Sequence, residues 1–138
     1  MSVIQDYLGL CEYEDEGIIN LLQTLLTKPY VGELLLKLKA YHEESYFHCL
    51  RVYDLSYFIA IWANISPESV RMEILGEAAL LHDIGKLEIP LSILSKPSKL
   101  TEDEFNTIKC HSAVGAAILV QHRAHPLVVR AVHEHHEK

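Results

Sequence analysis

The organisation of the chain is clearest around residues 79–90, which read ALLHDIGKLEIP. The stretch begins apolar and turns polar at a histidine–aspartate pair, His82 and Asp83. Upstream, Ser66 can cap a helix, because a proline at the first helical position and then an acid follow it. This pattern predicts a helix from that signal to about Leu81. Just beyond its end, the imidazole and the carboxylate can turn toward one point.

Helical signals recur along the rest of the chain, and strand signals are scarce. Thr101 and Glu104 form a capping box that opens a helix, and Gly85 suits a turn that terminates the helix before it. Apolar residues at helical spacing predict further helices over residues 15–27, 30–41, 43–64, 67–81, 112–121 and 126–137, with one short turn near 91–94. The predicted fold is therefore all-α, a bundle of about six to eight helices.

Composition limits the class of function. Of 138 residues, 49% are apolar and 22% are charged, as in a packed globular domain. Twelve Lys and Arg against 19 Asp and Glu leave a net charge of −7, which argues against a nucleic-acid partner because phosphate contacts need a basic surface. No apolar run is long enough to span a membrane, and 3 widely spaced cysteines favour thiols in a reducing compartment. We therefore expect a cytoplasmic protein with no membrane partner.

Nine of the residues are histidines, and several fall where a metal site would need them. Glu44 and His48 are four residues apart and so share one helix face. Imidazole and carboxylate ligands together suit Zn, Mn or Fe. With the pair at the helix end, the candidate ligands are Glu44, His48, His82, Asp83, His111, His135 and His136. Seven are too many for one tetrahedral ion and enough for a site with two metals.

Each candidate has a structural alternative when it is taken alone. His48 fits a satisfied core histidine, His111 a residue that faces solvent after a helix break, and residues 135–136 a solvated tail. Their coincidence on one predicted bundle favours a metal site. His133 is ambiguous. We expect His42, His122 and His125 at the surface. Cys49 and Cys110 are expected to be buried neighbours of the candidate ligands and not nucleophiles.

Taken in order, these motifs resemble the HD superfamily of metal-dependent phosphohydrolases, and within it the HD-GYP subfamily of cyclic di-GMP phosphodiesterases. The resemblance covers residues 41–138, and residues 1–40 look like the extra helices that precede such bundles. It is carried by residues 48–52 (HCLRV), 79–90, 93–101 (ILSKPSKLT), 109–115 (KCHSAVG) and 135–137 (HHE). The fold that it implies is the HD-domain helical bundle.

The resemblance also implies a role for each matching residue. The implied metal ligands are His48, His82, Asp83, His111, His135 and His136. Glu44 matches an extra carboxylate that allows a third metal in some members, and Lys86 would hold substrate phosphate. The implied cofactors are divalent ions, Fe or Mn, with two or three at each site.

The implied reaction is hydrolysis of a phosphodiester such as cyclic di-GMP by a hydroxide that two metals activate. Asp83 would bridge the ions, and Lys86 would stabilise a non-bridging oxygen. The sequence ends at Lys138, before the family's Gly-Tyr-Pro segment and the aspartate that follows it. The domain over residues 41–138 is therefore expected to be incomplete at its C-terminus, and cleavage by these residues alone to be weak or absent.

Two other functions stay open. A degenerate bundle would serve as a binding or dimerisation module, and a hydrolase of another specificity would act on nucleotides or phosphomonoesters. Activity on a generic phosphodiester with added Mn²⁺ would separate the enzymes from the binding module. A homodimer completed by exchange of the last helix is also open.

Overall fold

The computed structural model describes residues 2–11 and 15–136, and these residues form helices joined by short connections. Eight α-helices have at least eight residues, α6 is a single turn, and a 3-10 helix, Ile84–Glu88, follows α5; no strand occurs in these ranges. The α-helices are α1 Val3–Leu10, α2 Glu16–Leu26, α3 Pro29–Tyr41, α4 Glu43–Trp62, α5 Val70–Leu81, α6 Leu91–Leu94, α7 Glu102–Lys109, α8 His111–Gln121 and α9 Pro126–Glu134. The predicted all-α class is confirmed.

Several helix starts lie where local chemistry places them. Thr101 and Glu104 form the predicted capping box: the Glu104 N–H donates to the Thr101 hydroxyl at 3.2 Å, and the Thr101 N–H donates to the Glu104 carboxylate at 2.8 Å. Prolines occupy the first turn of α3 and of α9, as expected. The short helical turn predicted near residues 91–94 is α6.

One predicted boundary is wrong, and another falls on residues that the structure does not describe. Helix α5 is capped by Ser69 rather than Ser66, because the Ser69 hydroxyl accepts the Met72 N–H at 3.1 Å and donates to the Ser66 carbonyl at 2.7 Å. Residues 66–68 therefore form a turn before the helix. Helix α9 ends at Glu134, with His135 as its C-cap, and the predicted end at Glu137 lies outside the described residues.

Helix α1 is an element that the sequence analysis does not predict. It begins with a capping box, in which the Gln5 N–H donates to the Ser2 hydroxyl at 3.2 Å and the Ser2 N–H donates to the Gln5 side chain at 3.3 Å. Its face toward the bundle buries Val3, Asp6 and Tyr7. The Ser-x-x-Gln pattern was the available signal for this helix.

Gly85 is required for close packing rather than for the predicted helix-terminating turn. It lies inside the 3-10 helix, and no glycine in the described part of the chain has a positive φ. A Cβ at Gly85 would overlap the carbonyl oxygen of His111, and a Cβ at Gly115 would lie 3.2 Å from the Gly85 nitrogen. The two glycines let the 3-10 helix lie against α8, which brings Asp83 close to His111.

Helix α5 is at the centre of the bundle and packs against α2, α3, α4 and α9. Its second half, from Gly76 to Leu81, is buried throughout. One hydrophobic core contains both Val3 and Val132, so residues on either side of position 40 share it; the division of the chain at residue 40 stays a prediction. Among the residues that the structure describes, no helix has the length and apolar character needed to cross a membrane.

Candidate metal centre

Three helix ends meet at the candidate metal centre. His82 and His135 are the C-cap residues of α5 and α9, and His111 follows the C-cap of α7. In each, the ring Nδ1 lies close to the carbonyl oxygen three residues earlier, at 2.7, 2.6 and 2.6 Å for His82, His111 and His135. A carbonyl only accepts, so each Nδ1 carries a proton, and the neutral form of each ring presents a lone pair at Nε2. The free carbonyls of three helix ends thus orient three imidazoles.

Asp83 lies between two groups of imidazoles, and each of its carboxylate oxygens faces one group. Its Oδ1 is 3.2 Å from His111 Nε2 and 3.7 Å from His135 Nε2. His136 completes this group, with its Nε2 3.2 Å from His111 Nε2. We call these four residues the inner position, because the side chains of Asp83 and His111 are each only 4% exposed.

The other oxygen of Asp83 faces what we call the outer position, formed by Asp83, His48 and His82. Its Oδ2 is 3.6 Å from His48 Nε2 and 3.5 Å from His82 Nε2. Lys86 Nζ lies 2.9 Å from the same oxygen. The side chain of His48 is 46% exposed, so this position opens to solvent. At each position the candidate ligand atoms lie within 4.8 Å of one another.

The protonation states favour cation binding. Burial raises the pKa of Asp83, but the neighbouring imidazoles of His111, His135 and His82 and the hydrogen bond from the Lys86 ammonium outweigh it and hold that pKa far below its usual range. Burial lowers the pKa of His82, and burial together with the neighbouring imidazoles lowers that of His136. At neutral pH Asp83 is therefore a carboxylate and the rings of His82 and His136 are neutral, which are the forms that ligate metals. For His135, the hydrogen bond and charge of Asp83 outweigh burial and raise the pKa.

The donor set fits divalent cations. His111 Nε2 is 3.1 Å from His135 Nε2, and His82 Nε2 is 3.3 Å from His48 Nε2. Because Nδ1 carries the proton in the neutral rings of His82, His111 and His135, their Nε2 lone pairs are directed into the cluster, and those of His111 and His135 face each other. A shared cation satisfies such an arrangement, and imidazoles with a carboxylate and no thiolate suit Zn, Mn or Fe.

The remaining candidates lie outside these two groups. Glu44 is exposed and belongs to neither position, although it lies on the same face of α4 as His48. His133 is exposed, as are His122, which stacks on Tyr30, and His125, which caps α9. His42, expected at the surface, is half-buried because it caps α4.

The two cysteines beside candidate ligands have different surroundings. Cys49 is fully buried, as predicted. Cys110 is exposed, so its predicted burial is wrong. It is the C-cap of α7, where its thiol lies 3.4 Å from the Asn106 carbonyl at the surface.

A pocket of about 330 Å³ adjoins the outer position. Its wall includes Glu44, His48 and Lys86, together with the apolar side chains of Leu94 and Ile108. Arg51 also lines it, and the sequence analysis gives Arg51 no role. The available signal was its spacing of three residues from His48 and seven from Glu44, which places all three on one face of α4.

The HD domain family matches residues 45–138 of this sequence, which include every residue of both positions. The chain belongs to the HD domain family. The predicted resemblance to the HD superfamily is confirmed, and this HD domain is all-helical, as the resemblance implied.

Curated relatives of this HD domain are named phosphodiesterases. A cyclic di-GMP phosphodiesterase of Pseudomonas aeruginosa is 39% identical over 116 residues, which are 83% of this chain and 28% of the relative. A cyclic di-GMP phosphodiesterase response regulator of Xanthomonas campestris is 45% identical over 69 residues, 50% of this chain and 18% of the relative. These names are consistent with the HD-GYP subfamily.

A third relative, the 3'3'-cGAMP-specific phosphodiesterase 3 of Vibrio cholerae, is 44% identical over 64 residues, 46% of this chain and 14% of the relative. The chain therefore spans less than a third of the length of each of these three proteins. No solved structure is significantly similar to this HD domain.

Proposed function

We propose that this HD domain binds two divalent cations and hydrolyses a phosphodiester bond of a cyclic dinucleotide. The observation that carries the proposal is the division of Asp83 between the two positions, with one carboxylate oxygen toward His111 and His135 and the other toward His48 and His82. A carboxylate shared in this way is what a site for two adjacent cations needs, because it compensates part of the charge of both ions.

The residues divide into ligands and a phosphate-binding group. The proposed ligands are His111, His135 and His136 at the inner position, His48 and His82 at the outer position, and Asp83 at both. Fe or Mn is the proposed metal, and Glu44 is the proposed ligand for a third ion beside His48. When bound, the cations would supply positive charge at the phosphate and a more acidic water. Lys86, beside Asp83 and partly exposed, would neutralise a non-bridging phosphate oxygen.

The relatives' names support the substrate class. Cyclic di-GMP and 3'3'-cGAMP, the molecules in those names, both join two nucleotides through phosphodiester bonds. We propose the cytoplasm as the compartment, since Cys11, Cys49 and Cys110 are all free thiols. The homodimer stays a prediction.

The first test is the metal content of the chain, measured by elemental analysis after anaerobic purification without a histidine tag. We expect about two equivalents of Fe or Mn per chain. Any hydrolysis of cyclic di-GMP by these residues alone is expected to be weak, to be removed by EDTA and to be restored by Mn²⁺. A chain that is nearly free of metal, and that does not take up added Fe²⁺ or Mn²⁺, would overturn the proposal.

His135→Ala and His133→Ala form a matched pair for the ligand assignment. Both histidines lie at the end of α9, but His135 faces Asp83 while His133 is exposed and belongs to neither position. His135→Ala is expected to lose about one metal equivalent, the one at the inner position. His133→Ala is expected to keep both. Equal metal content in the two variants would contradict the assignment of His135.

A further inference from the structure

The face of α4 that carries His48 continues beyond the candidate metal centre. Glu44, His48 and Arg51 are spaced at i, i+4 and i+7, and all three line the pocket of about 330 Å³ beside the outer position. Lys86 lines the same pocket and also contacts Asp83 Oδ2 at 2.9 Å. The pocket is therefore continuous with the outer position, and Arg51 lies one helical turn further along it.

Arg51 is a free cation. Its side chain is exposed, and no carboxylate among residues 2–11 and 15–136 forms an ion pair with its guanidinium. Lys28, Lys39, Lys86 and Lys96, by contrast, each pair with an acid at 2.7–2.9 Å. In a chain with a net charge of −7, an unpaired guanidinium on a pocket wall is available to an anionic ligand. Its planar fork matches two oxygens of one phosphate group.

The rest of the pocket wall suits the organic part of a nucleotide. Leu94 and Ile108 supply an apolar surface, and the volume falls at the lower end of the range typical of small-molecule sites. Lys86 is already placed at the outer position, so a substrate with a single phosphate at the metals would leave Arg51 without a partner. A substrate with a second phosphate would reach both cationic groups.

We propose that Arg51 binds the second phosphate of a dinucleotide while the first lies at the candidate metal positions, with a nucleoside against Leu94 and Ile108. Arg51 is then a substrate-positioning residue that selects dinucleotides over esters with one phosphate. This inference rests on the proposed function, and it extends the binding site beyond the metal ligands.

The test is equilibrium binding to the metal-loaded full chain, measured by calorimetry with a slowly hydrolysed phosphorothioate analogue of cyclic di-GMP. Arg51→Gln is expected to weaken binding roughly ten- to hundredfold, the effect of a lost hydrogen bond to a charged group. Arg51→Lys should bind with intermediate affinity, because it keeps the charge and loses the fork. Arg71→Gln, a change at an exposed arginine of α5 outside the pocket, is the matched control and should bind as the unmodified chain does.

A second probe with one phosphate, p-nitrophenyl phosphate, separates positioning from general damage. Its affinity should be the same for Arg51→Gln and the unmodified chain, and the metal content of every sample should be equal. If Arg51→Gln and Arg71→Gln bind the dinucleotide equally, or if Arg51→Gln weakens both probes alike, the inference is overturned.

Metal content distinguishes failure of this inference from failure of the proposed function. A chain that holds two metals but does not bind the dinucleotide overturns the inference and leaves the metal centre standing. A chain without metal overturns the proposed function. In that case, dinucleotide binding that still depends on Arg51 would support the inference, and its absence would overturn the inference too.

Discussion

Three carboxylates, those of Asp6, Glu77 and Asp83, are buried in the described part of this bundle. The first two differ from the third in the groups that surround them. Asp6 accepts from Lys39 at 2.8 Å and from the Tyr46 hydroxyl at 2.7 Å. Glu77 likewise accepts from Lys28, at 2.9 Å, and from the Tyr30 hydroxyl. Asp83 has a lysine too, Lys86, but in place of a tyrosine it faces four imidazoles at 3.2–3.7 Å.

The kind of donor, and not the depth of burial, separates a structural acid from a candidate ligand here. Lysine and tyrosine carry protons at neutral pH, so Asp6 and Glu77 are satisfied by the protein alone. Three of the four imidazoles around Asp83, those of His82, His111 and His135, donate their Nδ1 protons to backbone carbonyls, and in the neutral form each directs an Nε2 lone pair into the cluster. A cation is the group that makes this arrangement favourable.

The largest expected effect is that of Asp83→Asn. The amide keeps the shape of the side chain but removes the charge that both metal positions share, so metal content should fall from about two equivalents to nearly none. The loss of metal affinity should exceed the roughly 10–100-fold loss that follows when a residue that only hydrogen-bonds to a ligand is removed. Elemental analysis checks the metal, and circular dichroism in EDTA checks that the helices remain. Retention of both metals would show that Asp83 is not the shared ligand.

Gly85→Ala should disrupt the candidate metal centre by displacing the backbone that positions Asp83. The new Cβ would overlap the His111 carbonyl, which is rigid, so we expect a loss of about 3 kcal/mol or more in unfolding free energy. Metal content should also fall, because the 3-10 helix would move away from α8 and Asp83 away from His111. Urea unfolding measures the first effect and elemental analysis the second.

Gly76→Ala is the matched control beside a structural acid, Glu77. The atoms nearest to a Cβ there belong to side chains, those of Leu25 at 3.0 Å, Leu21 at 3.2 Å and Tyr53 at 3.3 Å, which can move. Gly76→Ala should lower the unfolding free energy by at most about 1 kcal/mol, with no change in metal content. Equal effects of the two substitutions would mean that the close backbone contact at Gly85 does not hold the site together.

Helices were predictable from the sequence where the deciding chemistry is local. The capping box of Thr101 and Glu104 needs only neighbouring residues, and it is found. Both Ser66 and Ser69 are suitable N-caps for α5, and the neighbouring sequence does not show that Ser66 lies in a turn before the helix. Helix α1 has only eight residues, and the sequence analysis does not predict it although a capping box opens it.

The sequence could indicate which residues form the candidate site but not how they are arranged. Histidines and carboxylates in a recognisable order indicated a metal centre, but the division of Asp83 between two groups depends on packing among α5, α8 and α9. The partners of Asp6, Lys39 and Tyr46, lie 33 and 40 residues away along the chain. The sequence predicts a turn at Gly85 because the atom that requires a glycine there, the His111 carbonyl oxygen, lies 26 positions further along the chain.

Asp6→Asn is the counterpart of Asp83→Asn at a structural acid. Burial raises the pKa of Asp6, but hydrogen bonds from Lys39 and Tyr46 outweigh it, so its pKa in the folded chain lies below the ordinary value of 3.8. A lowered folded pKa contributes stability in full above the unfolded value, and the contribution is lost as pH falls through the folded pKa. Asp6→Asn should therefore lower the unfolding free energy by about 2 kcal/mol at pH 7, with a difference from the unmodified chain that shrinks below about pH 4.

Urea unfolding at pH 7, 5 and 3 measures this difference, and elemental analysis at pH 7 should find the full metal content in Asp6→Asn. Tyr46→Phe, which removes one donor and leaves the charge, should show a smaller loss at pH 7. A stability difference that is unchanged at pH 3 would mean that the Asp6 carboxylate charge is not what stabilises the fold. Loss of metal in Asp6→Asn would mean that the two kinds of buried acid are not independent, since α1 and the end of α5 would then be coupled through the core.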